Sequence, residues 1–345
     1  MRERFSILVL VCCVASVAWT QQPGSHKIVK FDVKGAGTGS AQGTIGGGIV
    51  DDGSVDGNYY DSNGVSHGFF RSSTGKITKF DPKGSTFTVP IGQNSTHSIT
   101  GYYVDSNGLA HGFLRAPDGK ITTIDYPGAS GTIPENINTS GEISGFFIDS
   151  NGATHGMIRT PTGKFSKFNA PGAGTGSGQG TGPAGFDGLT DAGAMAVQSI
   201  DSNGVYHGNL RSAKGKFTQF DPTGSVKTQV TGINVKNTIV GVFYDSNNAI
   251  HGFVREANGT DKQIDVPKAF YTLIYNINSS GASVGPYYDS TGLAHGFILN
   301  PSGSFTKFSV SGAAQGTFPN SNNKGGSVTG NWVDSNGVNH GFIRQ

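Results

Sequence analysis

The stretch DSNGVSHGFF, Asp61 to Phe70, puts a carboxylate, an amide and an imidazole within seven residues. Carboxylate beside imidazole is the raw material of acid–base and metal sites. A calcium loop needs more oxygen ligands than this stretch carries. The motif also returns, with histidines at His67, His111, His155, His207, His251, His295 and His340, spaced by 44, 44, 52, 44, 44 and 45 residues. A catalytic or metal site is not built seven times at even spacing, whereas a packing device is. The histidines are therefore expected to be structural, each hydrogen-bonded within or between repeats, because buried polar groups need partners. No catalytic residue and no metal ligand is assigned.

Such a motif must be positioned by short strands. Runs like GYYVDS and HGFLR flank an Asn-Gly pair, the preferred centre of a two-residue type I′ hairpin. That turn predicts Asp61 opposite Ser66 and Tyr60 opposite His67. A second hairpin runs from HGFFR to KITKFD, and its register predicts Arg71 opposite Lys76 and Asp81 opposite Ser66. A further strand precedes the IN--G segment. Four strands in about 44 residues, with no helical periodicity, predict an all-β fold: a seven-bladed β-propeller of four-stranded blades. The aromatics Tyr59, Tyr103, Phe147, Phe243, Tyr287 and Trp332 are expected to pack blade against blade.

The last repeat stops at HGFIRQ and lacks its fourth strand. The N-terminal HKIVKFD, 26–32, differs from GKITKFD, 75–81, at two of seven positions. It is expected to complete the last blade and hide its edge.

Residues 1–20 have a basic start, an apolar run and small residues near the end, the pattern of a secretory signal peptide. Residues 21–25 would be a linker and 26–345 the propeller, secreted to the periplasm or beyond, with no membrane span. Both cysteines, Cys12 and Cys13, fall in the leader, so the mature chain has no thiol for a disulfide or metal site. The formal net charge of +2 lacks the basic footprint of a nucleic-acid binder. No nucleotide or cofactor motif is present, and a monomer is expected.

With the unit IN--G-I-G-Y-DSNG--HGF-R in hand, the chain resembles the bacterial extracellular HAF-type repeat proteins. Their His-Ala-Phe core reads His-Gly-Phe here, and arginine stands where they carry tryptophan. The resemblance covers the mature chain and implies repeated β-structure. It implies no catalytic residues.

Function is expected where the repeats break. Glycine-rich insertions at 35–44 and 172–181 are either flexible connectors or lips of a binding surface on the face bearing the DSNG turns. Repeat four departs further, with Val197, Ser199 and Asn209 in place of glycine, an aromatic and phenylalanine. Fourteen residues before each motif aspartate stand Gly47, Ile91, Glu135, Asp187, Thr231, Tyr275 and Asn320, near an inner rim. Glu135, Asp187, Asn209, Tyr275 and Asn320 are the candidate binding residues. The sequence favours a binding or scaffold module for a glycan or protein. The alternative is a polysaccharide lyase or hydrolase working at the inner rim of blades three and four.

Overall fold

The computed structural model describes residues 26–345 apart from Phe186. The leader and linker expected at 1–25 lie outside the described residues. All regular structure described is β-strand, and among the described residues no helix is long and apolar enough to cross a membrane.

The first repeat shows the unit. Strands Gly43–Ile49, Val55–Tyr60, Ser66–Arg71 and Ile77–Phe80 form an antiparallel meander. The other repeats follow the same plan, and consecutive units pack side by side. Between units lie apolar clusters, such as Val55, Tyr59 and Phe69 with Ile343 and Phe31. The chain returns on itself. Asn323 Nδ2 donates to the Val50 carbonyl at 3.0 Å and Asn320 Nδ2 to that of Gly46 at 2.9 Å. The N-terminal strand Ile28–Phe31 pairs antiparallel with the final strand Asn339–Arg344.

The expected turn needs correction. Of Asn63 and Gly64 only Gly64 is left-handed, with φ +77°. Gly64 N donates to the Asp61 carbonyl, and Asp61 N to that of Val65. This is a three-residue loop, a type I turn closed by a left-handed glycine. Asp61 Oδ1 favours it by accepting from the amides of Asn63 and Val65 at 2.8 and 2.9 Å. The register moves by one, so Tyr59 faces His67 and Tyr60 faces Ser66. The second hairpin closes in the same way, putting Arg71 opposite Ile77. Asp81 therefore falls beside His67, not Ser66.

One residue of shift reorganises the motif. His67 Nδ1 lies 2.8 Å from Asp81 Oδ2. A carboxylate only accepts, so the ring donates from Nδ1. Its other nitrogen looks toward Asp61 Oδ2 at 3.7 Å, and its face stacks on Tyr59 at 5.0 Å between centroids. The aromatics expected between blades thus also stack on the histidine of their own blade. Thr44 continues the row inward and accepts from Val33 N at 2.9 Å.

Five of the six arginines after the motif reach a phenylalanine of the neighbouring unit; the sixth, Arg159, follows a unit with Ile124 in that place. Arg71 lies over Phe31, Arg115 over Phe80, Arg211 over Phe168, Arg255 over Phe220 and Arg344 over Phe308, within 4.3–5.1 Å of the ring centres. Leu299 replaces arginine where Ile264 replaces the phenylalanine, and the two share an apolar cluster. The IN--G asparagines form a second belt. Asn94 Nδ2 donates to the Asn138 carbonyl, Asn234 Nδ2 to that of Asn278 and Asn278 Nδ2 to that of Asn323.

Candidate functional site

The inner strands share an irregularity that makes the site. Pairing of the first two strands skips a residue between Pro90 and Gly92, Pro134 and Asn136, Val230 and Gly232, and Pro319 and Ser321. Ile91, Glu135, Thr231 and Asn320 are the skipped residues. A glycine on the second strand sits against each bulge. A Cβ on Gly101 would come within 2.1 Å of the Val89 carbonyl oxygen, and one on Gly145 within 2.3 Å of that of Ile133. The bulge frees its residue from the ladder and re-aims its side chain. Ile91, Glu135 and Asn320 all line one axial cavity of about 630 Å3, joined by Tyr275 and Gly47 from the first-strand segments of other units. Ile45, Val89, Pro90, Phe318 and Val333 make most of its wall apolar.

Repeat four breaks this rule for a reason visible in its residues. Val197 stands where the other units carry the glycine, and its side chain occupies the space the bulge needs. The inner strand stops at Pro183. Beyond it Ala184 N still donates to the Ala196 carbonyl, Ala196 N donates to that of Gly188 and Leu189 pairs with Met195, so the chain leaves the ladder at Gly185 and Asp187, and Gly185 joins the cavity lining. This segment is pinned to three other units. Asn136 Nδ2 donates to the Ala184 carbonyl at 2.9 Å, and Gly188 N donates to Asn136 Oδ1 at 2.7 Å. Ile233 N donates to the Asp187 carbonyl, and Asn276 Nδ2 to Asp187 Oδ2 at 2.5 Å. It forms a plug on the side away from the DSNG turns.

Three of the five sequence candidates, Glu135, Tyr275 and Asn320, therefore meet in the cavity. Asp187 belongs to the plug and faces Asn276. Asn209 does not reach the site. It is fully buried and donates to Ser199 Oγ at 2.9 Å, this polar pair filling the place of the phenylalanine and aromatic of other repeats.

Burial pushes the Glu135 carboxyl up to about 8, so it keeps its proton at neutral pH. Among the described residues nothing hydrogen-bonds its buried Oε2. Burial also raises Asp187, against the Asn276 hydrogen bond. Asp187 is crowded by protein yet keeps contact with water, so Glu135 is the carboxyl whose ionisation is opposed more firmly. Tyr275 is pushed up to about 12 by burial and by the nearby Tyr288 and Tyr244.

Sequence reasoning missed Asp56. It is fully buried, accepts from Gly48 N at 3.0 Å, and is pushed up to about 7 chiefly by that burial. The signal was present: the same position holds Thr100, Ser144, Ala196, Val240, Val284 or Thr329 elsewhere, so a carboxylate there is the odd one.

The insertions are built rather than loose. Ala41 N donates to the Gly337 carbonyl and Asn339 N to that of Gln42; Gly178 N and Thr154 N repeat this with Gly152 and Gln179. Gln42 and Gln179 each tie the loop to the next turn, through the Ser62 and Ser202 carbonyls. Among the described residues no group of three or more His, Cys, Asp or Glu is arranged to hold a metal ion.

No protein-family model matches the chain, and no curated relative does. Solved structures do. Virginiamycin B lyase from Staphylococcus aureus matches with a TM-score of 0.60 at 14% identity, over 92% of this chain and 99% of that one. A streptogramin B lyase matches with a TM-score of 0.56 at 14% identity, over 92% and 97%. The fold is a β-propeller. Puromycin hydrolase matches with a TM-score of 0.54 at 11% identity, over 86% of this chain and 51% of that chain. At these identities the likeness extends to the propeller and not to its chemistry.

Proposed function

We propose that the chain is an exported, seven-bladed propeller of the HAF-repeat kind, closed by its N-terminal strand, that works as a binding module. Its axial cavity takes a group projecting from a glycan or a protein. One observation carries this reading: a mostly apolar cavity of about 630 Å3 contains an acid whose Oε2 has no described partner. A few polar groups set in an apolar concavity are the usual form of a ligand site. The leader-like 1–20 supports export.

The test is a paired screen of glycan and peptide arrays with the native protein and Ile91→Trp, which fills the cavity from a bulge position. Ligands retained by native protein and lost by a variant of unchanged thermal stability support the reading. Ligands kept by Ile91→Trp overturn it.

The enzyme reading has one observation in its favour. Glu135 holds a proton at neutral pH, as a general acid must. Among the described residues of the cavity and plug it finds no base: Tyr275 holds its proton to about 12, and Asp187 is turned to Asn276. The lyase and hydrolase activities in the names of the structural neighbours belong to those proteins. The binding module is the stronger reading.

A further inference from the structure

The amides in the cavity wall have fixed orientations. Asn320 Nδ2 donates to the Gly46 carbonyl, and Asn339 Nδ2 to the Gln42 carbonyl. A carbonyl accepts only, so neither amide can be flipped. Asn339 Oδ1 then accepts from Asn331 Nδ2 at 2.8 Å. Ser66 Oγ gives its proton to the Thr88 carbonyl, so it accepts from Asn58 Nδ2 at 2.9 Å. All four amide nitrogens are thus turned toward protein acceptors. Asn58 Oδ1 and Asn320 Oδ1 accept from no described group. Glu135 lines the same cavity, its Oε2 also without a described partner. No lysine, arginine or histidine is among the described lining residues.

The Tyr275 hydroxyl and the Glu135 proton are the donors in this lining, and once Glu135 gives up its proton the cavity offers two amide oxygens and a carboxylate in apolar walls, a set that selects a ligand with several donors on an apolar stem. We propose that the axial cavity binds the side chain of a lysine or arginine presented by a protein partner, its alkyl stem along Ile45, Val89, Ile91 and Phe318 and its cation against Glu135, Asn320 and Asn58. This inference rests on the cavity being the binding site. A buried ion pair is stable only when further hydrogen bonds satisfy the cation, and the two free amide oxygens supply them. The rings of Tyr275 and Phe318 add surface that attracts a cation. An amino sugar has the cation but surrounds it with hydroxyls that the apolar wall leaves unpaired. Because burial keeps Glu135 protonated, an entering cation displaces that proton to solvent, and the carboxylate formed pairs with the ligand.

The test uses full-length protein and the capped peptide Gly-Lys-Gly, with its arginine, norleucine and Nε-acetyl-lysine counterparts and free glucosamine. Titration calorimetry at pH 7 in two buffers of different ionisation enthalpy reads affinity and proton release together. The expected result is binding of the lysine and arginine peptides, at least tenfold weaker binding of the neutral peptides and glucosamine, and release of about one proton per ligand. Glu135→Gln should weaken the lysine peptide at least tenfold and leave norleucine unchanged. If that variant does not fold, Asn320→Leu should weaken the lysine peptide in the same direction. Equal binding of norleucine, or tighter binding of glucosamine, overturns the cation inference while the cavity reading stands. Absence of binding by every peptide also overturns it, and the array screen with Ile91→Trp then decides the cavity reading separately.

Discussion

His340 and Asp32 are 308 positions apart in the chain, yet His340 Nδ1 lies 3.0 Å from Asp32 Oδ2. The same contact joins His67 to Asp81, His111 to Asp125, His207 to Asp221 and His251 to Asp265 over 14 positions. The N-terminal strand therefore reproduces its counterparts down to the side chain, and chain closure uses the repeat's own chemistry.

Removal of residues 26–32 is expected to expose the outer edge of Asn339–Arg344 and uncover Phe342 and Trp332. Size-exclusion chromatography should show aggregation or loss of soluble protein. Asp32→Ala should be milder, lowering stability by roughly 1 kcal/mol in urea unfolding, because it removes one exposed hydrogen bond and leaves the strand paired. A soluble, unchanged deletion variant would contradict closure by this strand.

The asparagine belt should matter more than its exposed turns suggest. Asn278 donates to the Asn323 carbonyl while its Oδ1 accepts from the amides of Ser280 and Ala282. Asn278→Ala leaves buried partners unsatisfied on both sides and should cost roughly 1–3 kcal/mol. The same change at Asn107, an exposed turn residue, should cost well under half of that. Equal urea midpoints for the two variants would show that the belt adds nothing between units.

Two groups of carboxyls act oppositely on stability as pH changes. Asp61, Asp105 and Asp245 are held below the usual range, first by the amides of Val65, Leu109 and Ala249; His155 does most for Asp149. Their stabilisation is present above the unfolded carboxylate value and lost as pH falls through the lower folded value. Glu135 is raised, so the folded state keeps a proton that the unfolded chain has lost. Stability should fall as pH rises from the ordinary 4.5 toward about 8. Asp56 contributes with the same sign up to about 7. Glu135→Gln should thus gain on native protein between pH 5 and pH 8.5, by roughly 1–4 kcal/mol, because the native carboxyl keeps a proton that the unfolded chain sheds, whereas the amide does not titrate. Parallel melting profiles for the two proteins would mean that Glu135 ionises freely.

The repeat unit and the rim positions were legible because both depend on spacing. Four strands per period followed from turns and alternation, and the position that bulges is the same in every ordinary repeat. The His–Asp contact was not legible, because a three-residue loop and a two-residue loop use the same Asn-Gly letters and differ by one in register. What separates them is the Asp61 side chain folding back on its own turn. The departures at Val197 and Asn209 were visible as letters. Their consequence was not, since a valine at the bulge position displaces the residues facing it only where the opposing carbonyl lies within contact of its Cβ. The pinning of the insertions depends on backbone groups of the preceding unit, which leave no trace in local composition.

The plug makes a last expectation that ties these departures together. Ala184 and Gly188 are held by Asn136 through two hydrogen bonds, one to the Ala184 carbonyl and one from Gly188 N. The strand beside them also holds both residues, the Ala196 carbonyl accepting from Ala184 N and Ala196 N donating to the Gly188 carbonyl, but neither of those bonds protects Gly188 N. Asn136→Ala should release the segment while the strands on either side, Gly131–Ile137 and Met195–Ile200, stay paired. Amide exchange at Gly188 should then accelerate at least tenfold, and limited proteolysis should cut within 184–190. The cavity would lose its Gly185 wall, so any ligand bound there should weaken even though its own contacts on Glu135 and Asn320 are untouched. Asn94→Ala, which breaks an asparagine contact away from the plug, should change neither exchange at Gly188 nor ligand affinity. If Asn136→Ala leaves Gly188 exchange at the native rate, the Asn276 contact to the Asp187 side chain holds the segment instead, and Asp187→Ala, which removes that contact and keeps the Ile233 bond to the Asp187 carbonyl, should quicken the exchange.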